Sequence, residues 1–396
     1  MSLAIYIHWP FCKSKCPYCD FNSHVAQQID HERWAKAYLT SLKYWHEKTR
    51  DRHIHSVFFG GGTPSLMAPS TTAAIIQFIR DHWGLTPECE ITLEANPTSF
   101  EQQKFEDFRR GGVNRLSLGV QSLRTRDLEF LGREHSVPQA IAAIRSAATI
   151  FDRISFDLIY ARPNQSLNEW QEELEEALEI CNAPAHKNAA QHFSLYQLTI
   201  EQGTPFYTRH QRAEFQIPEQ DLAADLYDLT QDIMNARGLP AYEISNHAAG
   251  GQESRHNLTY WRYQDYLGIG PGAHGRITLR PSDPLQPPQK YATRDHRAPE
   301  IWLKKIDDSE VGLQEFTAID PQTQFDEFLM MGLRLREGIS ADELNQKTQG
   351  EPQKYLNMAA INHLRTEGMI DSDPNFLRTT RRGARCLNAV TGYILR

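Results

Sequence analysis

Cys12-Lys13-Ser14-Lys15-Cys16-Pro17-Tyr18-Cys19 places three thiols within eight residues, separated by three residues and then by two. No fourth Cys or His follows at a matching distance, and Asp20 and Phe21 come directly after the last thiol. Structural zinc takes four protein ligands, so a zinc reading must borrow His8 or His24. Three thiolates alone suit a 4Fe–4S cluster with one iron left open to a second molecule. Three free or buried thiols with no metal form the plainest alternative. Against it, the chain has only six Cys, and half of them sit in this stretch. Cys89, Cys181 and Cys386 are isolated and read as ordinary core or half-buried thiols.

Outward from this stretch the composition sets bounds. A chain of 396 residues with 40% hydrophobic content can build a large α/β domain and a smaller one. The net charge of −8 gives no general case for binding nucleic acid or anionic lipid. Six Cys in this length is no disulfide scaffold, and a reducing cytoplasm fits best. Met1–Pro10 lacks the basic start of a secretory signal, and no apolar run is long enough for a membrane-spanning helix.

Strand and helix patterns then alternate. Leu3–His8 reads as a strand feeding the cysteines, and residues 29–49 as a helix with Trp34, Ala37, Tyr38, Leu42 and Trp45 on one face. His55–Phe59 is a second strand, ending in the turn Gly60-Gly61-Gly62-Thr63-Pro64. Glu90–Ala95, Arg115–Val120, Arg153–Ile159 and His192–Leu198 continue the strands. Helices are expected at 71–83, 100–110, 125–131, 138–149, 167–181 and 219–237. Repeated βα units predict a parallel sheet, either an incomplete barrel or an open doubly wound sheet. In both, chemistry collects at the C-terminal strand ends. The cysteines, Gly61–Thr63, Glu94 and Gln121 fall there, and Asp157 lies in the fifth strand. Taken singly, Glu94 and Asp157 are ordinary strand-end polar residues; together they outline one mouth.

Beyond residue 240 the texture changes. Gly268-x-Gly270-x-Gly272 lacks the strand–turn–helix context of a dinucleotide loop and reads as a turn. Residues 280–299, rich in Pro and charge, read as a linker. Helices near 325–336, 341–346 and 353–367, followed by a turn at Asp373-Pro374-Asn375, suggest a small winged-helix-like unit without a basic recognition helix.

Several motifs now combine. Tyr6-Ile-His-Trp-Pro-Phe-Cys12, the cysteine triplet, Phe59-Gly-Gly-Gly-Thr-Pro64, Leu93-Glu-Ala-Asn-Pro97 and Leu118-Gly-Val-Gln-Ser122 resemble the radical S-adenosylmethionine (SAM) superfamily. The resemblance is to the branch containing oxygen-independent coproporphyrinogen III dehydrogenase, and within it to the HemW-type heme chaperones. It implies an α/β fold: an incomplete (β/α)6 barrel over 1–240, an extension over 241–320 and a mainly helical, winged-helix-like domain over 321–396. It implies that Cys12, Cys16 and Cys19 ligate a 4Fe–4S cluster. The SAM positions of the family fall on Tyr6, Gly61, Gly62, Thr63, Glu94, Gln121, Arg133 and Asp157. His256-Asn257-Leu258-Thr259-Tyr260-Trp261 resembles the heme motif of the chaperones, with His256, Asn257, Tyr260 and Trp261 as its binding residues and His247 and His274 as weaker candidates.

The dehydrogenase pattern has a further Cys where this chain has Phe21, and a longer segment before the cluster motif. Both departures favour the chaperone. The resemblance therefore implies a protein that binds heme and passes it to respiratory hemoproteins, with oxygen-independent coproporphyrinogen III oxidation as the alternative. Cluster, SAM and heme are the cofactors implied. No nucleic-acid partner is expected; a homodimer and peripheral contact with the inner membrane from the cytoplasm stay open. A bulkier residue at Gly62 is expected to weaken SAM binding while sparing the cluster.

Overall fold

The computed structural model describes residues 2–99, 101–182, 190–281, 283 and 285–395. Its strands are β1 (Ser2–Trp9), β2 (His53–Gly61), β3 (Leu85–Ala95), β4 (Arg115–Gln121), β5 (Arg153–Tyr160), β6 (His192–Gln197), β7 (Asn246–Ala248), β8 (Tyr266–Ile269), β9 (His274–Leu279), β10 (Gln289–Asp295) and β11 (Leu313–Ala318). They form one eleven-stranded sheet in the order β11-β10-β9-β8-β1-β2-β3-β4-β5-β6-β7. From β8 through β1 to β6 every neighbour is parallel, while β7 and the run β9–β11 add antiparallel strands at the two ends. The end strands β11 and β7 do not pair with each other, so the barrel is incomplete.

The crossovers carry α1 (His31–Lys48), α2 (Pro69–Trp83), α3 (Gln102–Arg110), α4 (Thr125–Phe130), α5 (Val137–Ile150), α6 (Leu167–Asn182), α7 (Pro205–Gln211) and α8 (Gln220–Ala236). The helix starts have local causes. Asp30 accepts the Arg33 N–H at α1, and Ser136 with Gln139 forms a capping box at α5. The buried stripe Trp34, Ala37, Tyr38, Ser41, Leu42 and Trp45 follows the helical period and lays α1 on the sheet. Phe100, where the helix at 100–110 was expected to begin, lies outside the described residues.

The two faces of the sheet differ. Ile5, Ile7, Val57, Phe59, Leu93, Leu116, Leu118 and Phe156 pack into the core under the helices. The alternate residues Ser56, Thr92, Ser117, Ser155 and Ser194 are buried and polar. A period of two thus sorts an apolar outside from a polar inside.

Residues 280–299 correct the linker expectation. Gln289–Asp295 is β10, paired on both sides within the sheet. Its charges are structural. Lys290 donates to Asp265 at 3.0 Å and to the Tyr263 carbonyl at 3.1 Å, and Asp295 accepts from Gly270 N–H at 3.0 Å and Trp302 Nε1 at 2.7 Å. Pro and charge marked a loop in sequence because these partners lie elsewhere in the chain.

The next helices are α9 (Arg255–Trp261), which lies against β2, and α10 (Pro299–Ser309), which packs on α1. After β11 come α11 (Pro321–Gly332), α12 (Ala341–Lys347), α13 (Met358–Thr366), α14 (Arg381–Ala384) and α15 (Leu387–Ile394). A short antiparallel pair, Ile339–Ser340 with Phe376–Leu377, accompanies them. This C-terminal region has its own apolar cluster, including Phe325, Leu329, Leu333, Ile361, Leu377 and Val390.

Trp302 joins the antiparallel end to the barrel: it is fully buried, and its ring stacks on Trp34 at 5.6 Å. Trp302→Ala should cost about 3–5 kcal/mol, seen as a lower urea midpoint with little change in m-value.

Candidate functional site: the cleft at the strand ends

The cysteine loop leaves β1 and is held from three sides. Phe11–Cys12 pairs with His24–Val25, which folds the loop back on itself. Gly62 N–H donates to the Trp9 carbonyl at 2.7 Å, and Thr63 N–H to the Phe11 carbonyl at 2.8 Å, so the glycine turn after β2 is stitched to the loop. Asn22 Nδ2 donates to the carbonyls of Pro271 at 2.8 Å and Arg297 at 2.9 Å, tying the loop to the antiparallel end. Gly268-x-Gly270-x-Gly272 is therefore a packing turn: a Cβ at Gly270 would lie 2.4 Å from the His8 carbonyl oxygen. No helix follows it; the chain runs into β9.

Cys12, Cys16 and Cys19 are free, half-buried thiols on the wall of one cavity of about 150 Å³. Thr63 donates to Cys12 Sγ at 3.5 Å, Arg133 Nη1 lies 3.4 Å from Cys16 Sγ, and Ser23 Oγ lies 3.9 Å from Cys19 Sγ. Burial pushes the Cys12 and Cys19 thiols up. The same wall carries Gly61, Gly62, Thr63, Glu94, Gln121, Arg133 and Asp157. A second cavity of about 370 Å³ adjoins it, sharing Phe21, Gly61 and Glu94 and lined also by Tyr6 and His274. The structure thus brings every residue expected at the cluster and SAM positions to these two connected spaces.

The carboxyls there are unusual. Burial first, and then Asp157, raise Glu94 to about 8, although it accepts the Gly61 N–H. Burial raises Asp157 to about 6 against hydrogen bonds from Ser194 and Ser117. Glu94 is therefore mainly protonated at neutral pH. Gln121 adopts φ +73°, a left-handed conformation at a strand end. Behind it Glu173 accepts from Ser122 Oγ at 2.6 Å and Leu123 N–H at 2.7 Å, and pairs with buried Arg162.

Arg133 donates to the Gly119 carbonyl at 2.7 Å and to Asn96, while its Nε is buried without a partner. An unused donor beside three thiols and the protonated Glu94 fits an anionic group arriving in the cleft. The zinc alternative fares worse. His8 bonds Tyr6 Oη at 3.1 Å and the Asn22 carbonyl at 2.9 Å, and burial lowers it to about 4. Among the described residues no three His, Cys, Asp or Glu side chains converge on a single metal position. A 4Fe–4S cluster takes each thiolate on a separate iron, so separated thiols around one cavity suit it. Asn96 and Ser117 also line the cavity; Asn96 lies within the Leu93–Pro97 motif, but neither residue stands among the expected site positions.

The expected heme motif lies elsewhere. It forms α9, near the N-terminal end of β2, with His55 bonding Thr259 at 2.8 Å. His256 is 1% exposed, bonds Ser56 Oγ at 3.0 Å and Tyr260 Oη at 2.7 Å, and stacks on Phe58. Both ring nitrogens are engaged, and burial lowers it to about 3. Asn257 N–H donates to Ser254, and Trp261 lies beneath the Arg334 guanidinium at 4.4 Å. His247 is buried against Gln231, whereas His274 is exposed and opens onto the second cavity.

The radical SAM superfamily model matches residues 6–177, and the HemN C-terminal domain model matches residues 319–385. The zebrafish (Danio rerio) protein "Radical S-adenosyl methionine domain-containing protein 1, mitochondrial" is 34% identical over 99% of this chain and 86% of its own length. The chain belongs to the radical SAM superfamily, in its HemN/HemW-like branch. The heme chaperone HemW of Mycobacterium tuberculosis H37Rv is 32% identical over 99% of this chain and 94% of its own length. That of Escherichia coli K12 is 39% identical over 70% of this chain and 71% of its own. Coproporphyrinogen III oxidase (HemN) from Escherichia coli shares the fold, with a TM-score of 0.79 at 18% identity over 99% of this chain and 89% of its own. The members of this superfamily use a 4Fe–4S cluster and SAM, the pair whose expected residues line the cleft.

The geometry revises one sequence expectation. A Cβ at Gly62 would sit 2.7 Å from the Phe11 carbonyl oxygen and 3.1 Å from Cys12 Sγ. Gly62→Val should therefore lower iron content as well as SAM affinity, measured by iron analysis and SAM titration of anaerobically reconstituted protein. The raised Glu94 carries a sign. Its neutral form is favoured by folding, so stability without ligand is fullest below about pH 4.5 and declines until about pH 8. Glu94→Gln should flatten that decline in urea midpoints taken across the range.

Proposed function

We propose that Cys12, Cys16 and Cys19 hold a 4Fe–4S cluster, that the adjoining cleft binds SAM, and that the protein acts on a tetrapyrrole. The single observation behind this is the meeting of three free thiols with Gly61–Thr63, Glu94, Arg133 and Asp157 around one cavity. When bound, cluster and SAM supply one-electron radical chemistry. The chain's own part is binding and exclusion. Arg133 offers its guanidinium, including the unpartnered Nε, to the SAM carboxylate. Glu94 and Asp157 accept from ammonium and hydroxyl groups, and Glu94 gives up its proton as a cation arrives. The glycine turn lets backbone N–H groups approach the ligand.

Of two tetrapyrrole readings, the geometry favours radical chemistry on the substrate, as in oxygen-independent coproporphyrinogen III oxidation. The SAM cleft is formed, and His256 is sealed away from any ligand. The second reading is heme delivery to respiratory hemoproteins. It is supported by the relatives named heme chaperone, matched along nearly the whole chain, and by Phe21 in place of a further Cys. Phe21 is 62% exposed at the cleft and lines both cavities. Heme binding through α9 would require the helix to release His256 from Ser56 and Tyr260.

Two measurements decide between them. Reconstituted protein with SAM, a low-potential reductant and coproporphyrinogen III should yield decarboxylated product, lost in Cys12→Ala, Cys16→Ala or Cys19→Ala together with the brown cluster absorption. No product from protein with an intact cluster, alongside saturable heme binding near one per chain, would establish the delivery reading. His256→Ala then tests the ligand: unchanged heme affinity excludes His256. An unchanged cluster spectrum in all three Cys variants would overturn the ligand assignment itself.

A further inference from the structure

A third cavity lies away from the cleft, between α8 and the C-terminal region, and its volume is about 410 Å³. Its wall carries Arg334, Arg336, Arg378 and Arg381 against only two acids, Glu243 and Asp371. The balance opposes that of the chain, whose net charge is −8. Ordinary surface ion pairing accounts for part of the cluster. Arg381 is held by Asp228 and Asp232 of α8, and Arg378 bonds Asp371 at 3.0 Å. Arg334 bonds buried Glu243 at 2.9 Å and lies over Trp261.

These acids leave donors over. Each guanidinium has five N–H groups, and a carboxylate engages two at best. Arg334 Nε is buried without a partner, and Arg336 makes no ion pair among the described residues. The acids come from separate places in the chain and hold three of the arginines at distinct points around the space, leaving Arg336 without one among the described residues. The volume falls in the range of small-molecule sites.

We propose that this cavity binds a small multivalent oxyanion, a polycarboxylate or a polyphosphate, bridging α8 and the C-terminal region. Arg334, Arg336 and Arg378 supply the donors. The site is separate from the SAM cleft and does not depend on which tetrapyrrole the protein handles. Carboxylate and phosphate oxygens present the same acceptors to an arginine fork, so affinity has to separate them.

The test is isothermal titration of full-length, cluster-loaded protein with SAM present, so that the cleft is filled. Sodium pyrophosphate and sodium citrate are titrated separately at constant ionic strength. The expected result is saturable binding near one per chain for at least one of them. It should weaken about tenfold, or about 1.4 kcal/mol, in Arg336→Gln, an exposed position whose loss leaves no buried carboxylate unpaired. Arg378→Gln should weaken it as well, and both variants should retain their cluster spectrum and unliganded melting temperature. Tighter pyrophosphate assigns a phosphorylated ligand; tighter citrate assigns a polycarboxylate. Absence of saturable heat for either anion, or equal affinity in wild type and Arg336→Gln, overturns the proposal.

Discussion

The close approach of Gly62 to the carbonyl of Phe11 is the constraint on which the site rests. Two strand ends meet there, and their backbones bond directly, from Gly62 to Trp9 and from Thr63 to Phe11. No side chain fits between them: an added Cβ at Gly62 would press on Phe11 and Cys12. Gly132 repeats the device from the other side, since a Cβ there would lie 2.6 Å from Pro17 Cδ. The cysteine loop is thus clamped largely by backbone, with the Asn22 side chain as a further tie, which holds three thiols to one wall without a disulfide or a helix to fix them. Backbone bonds also leave the thiols themselves free for a metal.

The sheet supplies the second element. Its outer face is paid in apolar area, and this lets the inner face remain polar along much of its length. Buried Ser, Thr, Glu and Asp side chains there are costly unless each finds a partner. Ser117 and Ser194 do this for Asp157, and Glu90 anchors Arg153 at 2.8 Å near the opposite end. The His256 N–H also lies 3.2 Å from Glu90, so α9 is fastened to the network that closes that end. One continuous polar interior therefore has two ends with different fates. The C-terminal ends open into the cysteine-lined cleft, and the N-terminal ends are plugged by the stretch that resembles a heme motif. A resemblance in sequence and an accessible ligand are different properties, and burial separates them here.

Much of this was legible beforehand where the signal is local. Alternating strand and helix periods predict the parallel sheet, because side-chain direction repeats every two or every 3.6 residues regardless of distant contacts. Strand-end position led from Cys12, Gly61, Glu94 and Gln121 to a common mouth, since parallel strands bring all their C-terminal ends together. Residues 280–299 failed the same approach. Lys290 and Asp295 look like loop charges until Asp265, Gly270 and Trp302 are seen to satisfy them.

The sequence alone determined the chemistry available: three closely spaced thiols, a glycine turn, and acids placed at strand ends. These follow from residue type and short spacing, which the chain carries with it. Only the tertiary structure decided their state. Burial beside Asp157 raises Glu94 to about 8, packing on Phe58 and bonds to Ser56 and Tyr260 seal His256, and α8 meeting the C-terminal region gathers four arginines around one cavity. Each of these depends on groups far apart in the chain, and desolvation and contact are properties of the folded neighbourhood rather than of any single stretch.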